Sequence, residues 1–173
     1  MGFAYHPEAW HDFYIALAGA CAALWGLIFV AISLHPGRVA DNPIHRNRAR
    51  LNLIGLYFLL VVALLALIPG QPAAALGIEL ALIWILWTVV VGMANLRLLR
   101  RLERVPGGIR ARMAVVLVMS ACGICSGVTL WLGAGGGLLW NVAANVLGLA
   151  MALTTAWSVS FSEDPRESGG SKG

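Results

Sequence analysis

Five apolar stretches, each about as long as a membrane is thick, constrain this chain more than any other feature of its sequence. A helix rises about 1.5 Å per residue, so about 20 apolar residues cross a hydrocarbon core of about 30 Å. The stretches predict helices at residues 13–34, 51–68, 72–96, 113–132 and 138–161. Only 12% of the 173 residues are charged, whereas soluble domains have about 25%. We therefore expect one all-α domain over residues 1–161, a polytopic membrane bundle of five transmembrane helices, and a polar, flexible tail at 162–173.

Two of the connections between these helices are short. The segments "PGQP" at 69–72 and "GAGGG" at 133–137 leave room only for tight turns. The second and third helices, and the fourth and fifth, are therefore predicted to form antiparallel hairpins.

Every basic residue falls on one side of this topology. Four lie between the first two helices, six between the third and fourth, and two in the tail: Arg38, Arg46, Arg48, Arg50, Arg97, Arg100, Arg101, Arg104, Arg110, Arg112, Arg166 and Lys172. By the positive-inside rule, the N-terminus is predicted outside and the C-terminus in the cytoplasm. Trp10, Trp131 and Trp140 would then form an aromatic belt at the outer interface.

The segment "NLRLLRRLERVPGGIRARM" at 95–113 holds half of the basic residues. Leucines recur every three residues at its start while arginines occupy the other faces, which predicts a basic amphipathic end to the third helix. We expect the bilayer to be its partner, with Arg97, Arg100, Arg101 and Arg104 near anionic lipid head groups. Nucleic acid is not an expected partner, because no soluble domain surrounds these arginines.

Glu79 is the one ionisable residue well inside an apolar stretch. Carboxylates at such positions are costly and often mark ion or proton sites. The simpler interpretation is a carboxylate near the outer interface that is satisfied by one partner from another helix.

The segment "HPEAWHD" places His6, Glu8, His11 and Asp12 just before the first helix. All four side chains are weak candidates for metal ligands, but their spacing matches no specific metal motif. Asp12 is explained more simply as a residue that complements the positive end of the helix dipole.

Small and polar residues form stripes on three helices. The fifth helix carries Asn141, Asn145, Gly148, Ala152 and Thr155 on one face, and the fourth carries Cys122, Ser126 and Thr129. These two faces are predicted to pack together, and a polar-lined pore is the alternative. The first helix adds a seam of Ala16, Gly19, Ala20, Ala23 and Gly26, which packs either within the bundle or between copies.

The first helix resembles the start of a family of small uncharacterised bacterial integral membrane proteins. The segments that carry the resemblance are "GLIFVAISL", followed by a basic loop, and the turn "LIPGQP". It implies a multi-helix bundle in the bacterial inner membrane and brings no substrate, cofactor or catalytic residue.

The sequence lacks a nucleophile elbow, a Walker A loop, an HExxH motif and a GxGxxG fingerprint, so neither an enzyme nor a cofactor is expected. We expect a non-enzymatic inner-membrane protein that acts through helix packing as a homo-oligomer. The alternative function is a small oligomeric cation channel or transporter, with Glu79 near its outer mouth and Asn141, Asn145 and Thr155 along its path.

Overall fold

The described part of the chain consists of helices joined by short turns. The computed structural model describes residues 2–34, 43–100 and 107–160, and over those residues it contains no strand. The five α-helices within them are α1 His11–Leu34, α2 Pro43–Ala66, α3 Ala73–Leu99, α4 Gly107–Leu132 and α5 Leu138–Ser160. Two short 3-10 helices, Phe3–Tyr5 and Pro7–Trp10, precede α1. The predicted all-α class is confirmed, and the predicted tail at 162–173 lies outside the described residues.

Two helices begin more than one turn earlier than the apolar stretches predict. α2 starts at Pro43 rather than at residue 51, and α4 starts at Gly107 rather than at residue 113. Both extensions contain arginines. Arginine ends an apolar stretch, but it does not end a helix, because it is a good helix former. Proline is also well tolerated in the first turn of a helix. Hydropathy therefore marks the membrane-length part of each helix and not its full extent.

Contacts between distant parts of the chain define the two ends of the bundle. The Gly136 amide donates to the Tyr5 hydroxyl at 2.9 Å, which joins the N-terminal segment to the α4–α5 turn. At the other end, the Asn52 amide in the first half of α2 donates to the Ala152 carbonyl of α5 at 3.2 Å. Successive helices are therefore antiparallel. We call the end with the N-terminal segment and the turns at 67–72 and 133–137 the turn end, and the opposite end the basic end.

α2 lies at the centre of the bundle, since it contacts α1, α3 and α5. α4 closes the other side by contacting both α3 and α5, whereas α1 packs chiefly on α2. The buried residues of α2 are Asn52, Leu56, Phe58, Leu59, Val62, Ala63 and Ala66. Much of the surface of α1 is consequently left uncovered by the other described helices.

α3 and α4 approach each other closely through small residues. A Cβ atom added to Gly127 would lie 2.5 Å from the backbone nitrogen of Ala81 and 2.7 Å from the carbonyl oxygen of Gly77. The indole ring of Trp84, which is fully buried, fills the space that a side chain at Gly123 would need. Small residues four apart on both helices allow this approach, as in other membrane helix pairs.

Within the described residues, four helical segments are long and apolar enough to cross a membrane: Pro7–Val30, Ala73–Arg97, Gly107–Leu132 and Leu138–Thr155. The apolar part of α2, Arg50–Ala66, is shorter. Large apolar side chains cover the outside of the bundle, and Leu27, Leu82 and Leu117 are each more than 60% exposed. Such a surface is suited to lipid rather than to water, so the helices have the length and the surface of a membrane protein.

Candidate functional site

An open cleft lies at the turn end, between the N-terminal segment and the α2–α3 turn. Its volume is about 740 Å³. One wall contains Tyr5, His6, Pro7, Glu8 and His11, and the other contains residues 66–71 and 73. The described residues at this end include Glu8, Asp12 and Glu79 but no lysine or arginine. The electrostatic potential here therefore favours cations over anions.

Glu79 is half-buried on α3 and is held by the neighbouring turn. The side-chain nitrogen of Gln71 donates to its carboxylate at 2.7 Å. The partner thus comes from the turn that precedes α3, and not from another helix as the sequence suggested. The bond fixes the orientation of the Gln71 amide, whose oxygen is buried without a donor among the described residues.

The four candidate metal ligands near the N-terminus do not converge. His6, Glu8, His11 and Asp12 are all exposed. Among the described residues, no three or more His, Cys, Asp or Glu side chains are placed to hold a metal ion together. Asp12 lies in the first turn of α1, where a carboxylate complements the helix dipole.

The polar end of the α5 stripe forms a buried hydrogen-bonded cluster. The Asn141 side-chain oxygen accepts hydrogen bonds from the Tyr14 hydroxyl at 3.2 Å and from the Asn145 amide at 2.5 Å. All three side chains are fully buried. The cluster joins the first turns of α1 to the first turns of α5. In an apolar interior the Tyr14–Asn141 bond fixes the two helices relative to each other, because the Tyr14 hydroxyl loses its acceptor if either helix rotates.

The rest of the α5 stripe is also enclosed by the bundle. Gly148, Ala152 and Thr155 are buried, and a Cβ atom on Gly148 would lie 2.9 Å from Leu59 of α2. All the stripe residues therefore face neighbouring helices of the same protomer. Their burial supports the packing interpretation and weighs against a water-lined path formed by Asn141, Asn145 and Thr155.

The basic end gathers the arginines of α2, α3 and α4. Arg97 and Arg100 are exposed at the end of α3, whereas Arg101 and Arg104 lie outside the described residues. The start of α4 adds Arg110, which is exposed, and Arg112, which donates to the Thr155 hydroxyl of α5 at 2.8 Å. The Thr155 hydroxyl in turn donates to the Met151 carbonyl at 2.7 Å. Acidic and basic residues of the described bundle thus lie at opposite ends.

The small-residue seam of α1 faces away from the bundle. α1 packs through Tyr14, Leu17 and Cys21, which are buried. On the nearly opposite face, Ala16, Gly19, Ala20 and Ala23 are exposed and Gly26 is partly exposed. A Cβ atom on either Gly19 or Gly26 would meet no atom within 4 Å. The seam is therefore not used inside the protomer.

The close α3–α4 contact was not predicted from the sequence. Its signal was present, since Gly77 and Ala81, like Gly123 and Gly127, are small residues four apart. The predicted partner of α4 was instead the stripe on α5, because that stripe also carries polar groups. α4 does contact α5, but its closest backbone approach is to α3.

The described residues place a cleft at the acidic end, arginines at the basic end and an exposed seam of small residues on α1. The three cysteines are free thiols, and Cys21 is buried in the α1 packing face. Comparisons with protein-family models, with curated proteins and with solved structures find no match for this chain.

Proposed function

We propose that this chain is a non-enzymatic protein of the bacterial inner membrane that acts as a homo-oligomer, joined through the small-residue seam of α1. The observation that carries the proposal is the exposure of that seam. Anionic lipid head groups are the proposed partners of its basic end. The proposal has two parts, the crossing of the membrane by all five helices and the self-association of α1.

The position of α2 supports five membrane crossings. Its apolar part, Arg50–Ala66, runs from the basic end, where Asn52 contacts α5, to the turn end, where Ala66 lines the cleft. It therefore runs from one end of the bundle to the other, as its neighbours do. A short central helix can span a bilayer when longer helices surround it and the bilayer thins slightly.

The distribution of charge supports an orientation with the N-terminus outside. If the basic end faces the cytoplasm, the arginines of α2, α3 and α4 lie at the anionic inner leaflet. A tag before Met1 should then react with a membrane-impermeant reagent in intact spheroplasts. A tag after Gly173 should react only once the membrane is permeabilised. Labelling of the C-terminal tag in intact spheroplasts would refute this orientation.

The chemistry of α1 supports self-association. Apolar burial drives little association in lipid, so helices join through van der Waals contact where small residues allow a close approach. Gly19, Ala23 and Gly26 lie on one exposed face of α1 and present backbone to the outside of the protomer. A second copy of α1 is the complementary partner for such a surface.

Large side chains introduced into the seam should separate the copies. We expect the double variant Gly19→Leu, Gly26→Leu to raise the dissociation constant of the oligomer at least about tenfold, because two leucines hold the helix backbones apart. The fold should be unaffected, since a Cβ atom added at either position would meet no atom within 4 Å. Light scattering on the detergent-solubilised full chain, corrected for bound detergent, measures the number of chains.

Gly92→Leu is the matched control. Gly92 is also a helical glycine with no atom within 4 Å of an added Cβ, but it lies on α3. This variant should keep the wild-type number of chains. If the double α1 variant also keeps that number, the seam is not the interface.

A further inference from the structure

A small cavity lies within the bundle, among α2, α3, α4 and α5. Its volume is about 20 Å³. A cavity needs roughly 10–15 Å³ to hold one water molecule, and the water needs polar partners. The lining is mostly apolar, but it includes Asn52 of α2, Trp87 of α3 and Met119 of α4. The cavity therefore has the size for one water and side chains that can bind it.

The indole N–H of Trp87 is a donor without an acceptor. Trp87 is 5% exposed, and its indole nitrogen is buried with no hydrogen-bond partner among the described residues. A Cβ atom added to Gly55 would lie 3.9 Å from Cζ2 of Trp87, the ring carbon next to the N–H along the indole edge. Gly55 also lines the cavity, so the edge of the ring that carries the N–H borders it. A buried donor at such a place requires an acceptor, because leaving it unsatisfied costs free energy.

Asn52 and Met119 provide acceptors on the same lining. The Asn52 amide nitrogen donates to the Ala152 carbonyl of α5 at 3.2 Å, which orients the amide, and its side-chain oxygen is an acceptor with two lone pairs. The Met119 sulfur, a weak acceptor, would lie 3.2 Å from a Cβ atom on Gly148, which lines the cavity too. A water here has one donor and two acceptors, and about three partners are typical of buried waters.

We propose that this cavity binds one water molecule that bridges α2 and α3. The water accepts a hydrogen bond from the Trp87 N–H and donates to the Asn52 side-chain oxygen, and Asn52 in turn donates to Ala152. A continuous series of hydrogen bonds then joins α3 through α2 to α5. A bridging water of this kind is nearly as favourable as a direct hydrogen bond and forms part of the folded structure. The inference depends neither on orientation in the membrane nor on self-association.

Nuclear magnetic resonance of the full chain in deuterated detergent tests the site. Trp84 is the internal control, because its indole N–H is also buried without a partner among the described residues but does not line the cavity. With isotope-labelled tryptophan, a rotating-frame Overhauser cross-peak should join the water signal to the Trp87 indole proton and should be absent at Trp84. Its sign distinguishes a nearby water from proton exchange. Trp87→Phe and Trp84→Phe assign the two resonances.

Two variants should abolish the cross-peak by different routes. Gly55→Ala places a methyl group on the lining, 3.3 Å from Cη2 of Trp87, so the space for the water is lost after a small shift of the ring. Asn52→Leu removes the acceptor. Gly92→Ala is the control and should keep the cross-peak, since Gly92 has no atom within 4 Å of an added Cβ and does not line the cavity. An unchanged Trp84 resonance shows that each variant keeps the fold.

Three results would overturn the site. Absence of the cross-peak at Trp87 in the wild type would show that the cavity is dry. Equal cross-peaks at Trp84 and Trp87 would show general penetration of water and not a site. A cross-peak that persists in both Gly55→Ala and Asn52→Leu would place the water elsewhere. The wild-type comparison of Trp87 with Trp84 decides the matter even if a variant fails to fold.

Discussion

Gly127→Ala is expected to lower the free energy of unfolding of the bundle by about 3 kcal/mol, the upper part of the usual range for overpacking. The added methyl group would lie 2.5 Å from the backbone nitrogen of Ala81 and 2.7 Å from the carbonyl oxygen of Gly77. Backbone atoms cannot rotate away as the end of a side chain can, so α3 and α4 must separate. Denaturant titration of the detergent-solubilised protein, followed by tryptophan fluorescence, measures the loss.

The same substitution elsewhere should have the opposite sign. Gly92→Ala introduces a methyl group into open space on α3 and removes a flexible residue from a helix interior. It should stabilise the protein by about 0.5 kcal/mol. If Gly127→Ala changes stability by less than about 0.5 kcal/mol, the backbones of α3 and α4 do not meet as described.

Asn141→Leu is expected to cost about 2 kcal/mol, the second largest effect. Leucine has the same number of side-chain heavy atoms and the same branching as asparagine but provides no acceptor for the Tyr14 hydroxyl and the Asn145 amide, both of which are fully buried. An orphaned donor in an apolar interior costs about 1–3 kcal/mol, and such costs are at the low end inside membranes. Because Tyr14 belongs to α1, the loss should also loosen α1 from α5.

Tyr14→Phe separates the two contributions. It removes the donor itself and leaves the Asn145–Asn141 hydrogen bond in place, so no additional donor loses its acceptor. The expected cost is about 0.6 kcal/mol, the average for a membrane hydrogen bond. Both variants are measured by the same unfolding titration, with limited proteolysis at the N-terminal segment as a probe of α1 docking. Equal costs for Asn141→Leu and Tyr14→Phe would contradict a cluster centred on Asn141.

The helical class and the short turns could be predicted because they depend on composition and chain length alone. Apolar stretches of bilayer length become helices whatever their neighbours, and "GAGGG" provides positive-φ glycines, such as Gly136, where the chain reverses. The starts of α2 and α4 could not be predicted from hydropathy. At those starts the helices continue into arginine-containing segments that do not read as apolar.

The partners of each helix face were harder to predict than the helices. A stripe such as Asn141 and Asn145 indicates an interior face, but it does not name the helix that covers it. The twenty glycines of the chain offer many small-residue pairs, so the Gly77–Gly127 contact was one of several possibilities. Which way the α1 seam points depends on the packing of Tyr14, Leu17 and Cys21 against the bundle. One wall of the cleft at the turn end is formed by the N-terminal 3-10 helices. These helices are too short to produce a recognisable periodicity in the sequence.

Cross-linking between copies in the native membrane tests self-association through α1 most directly. The measurement uses Gly19→Cys in a chain that carries Cys122→Ala and Cys125→Ala, with the buried Cys21 left in place. A short bismaleimide should join two copies through this cysteine, whereas Gly92→Cys in the same background should remain monomeric. Absence of a cross-linked dimer at Gly19, or equal cross-linking at Gly19 and Gly92, would contradict an interface on the α1 seam.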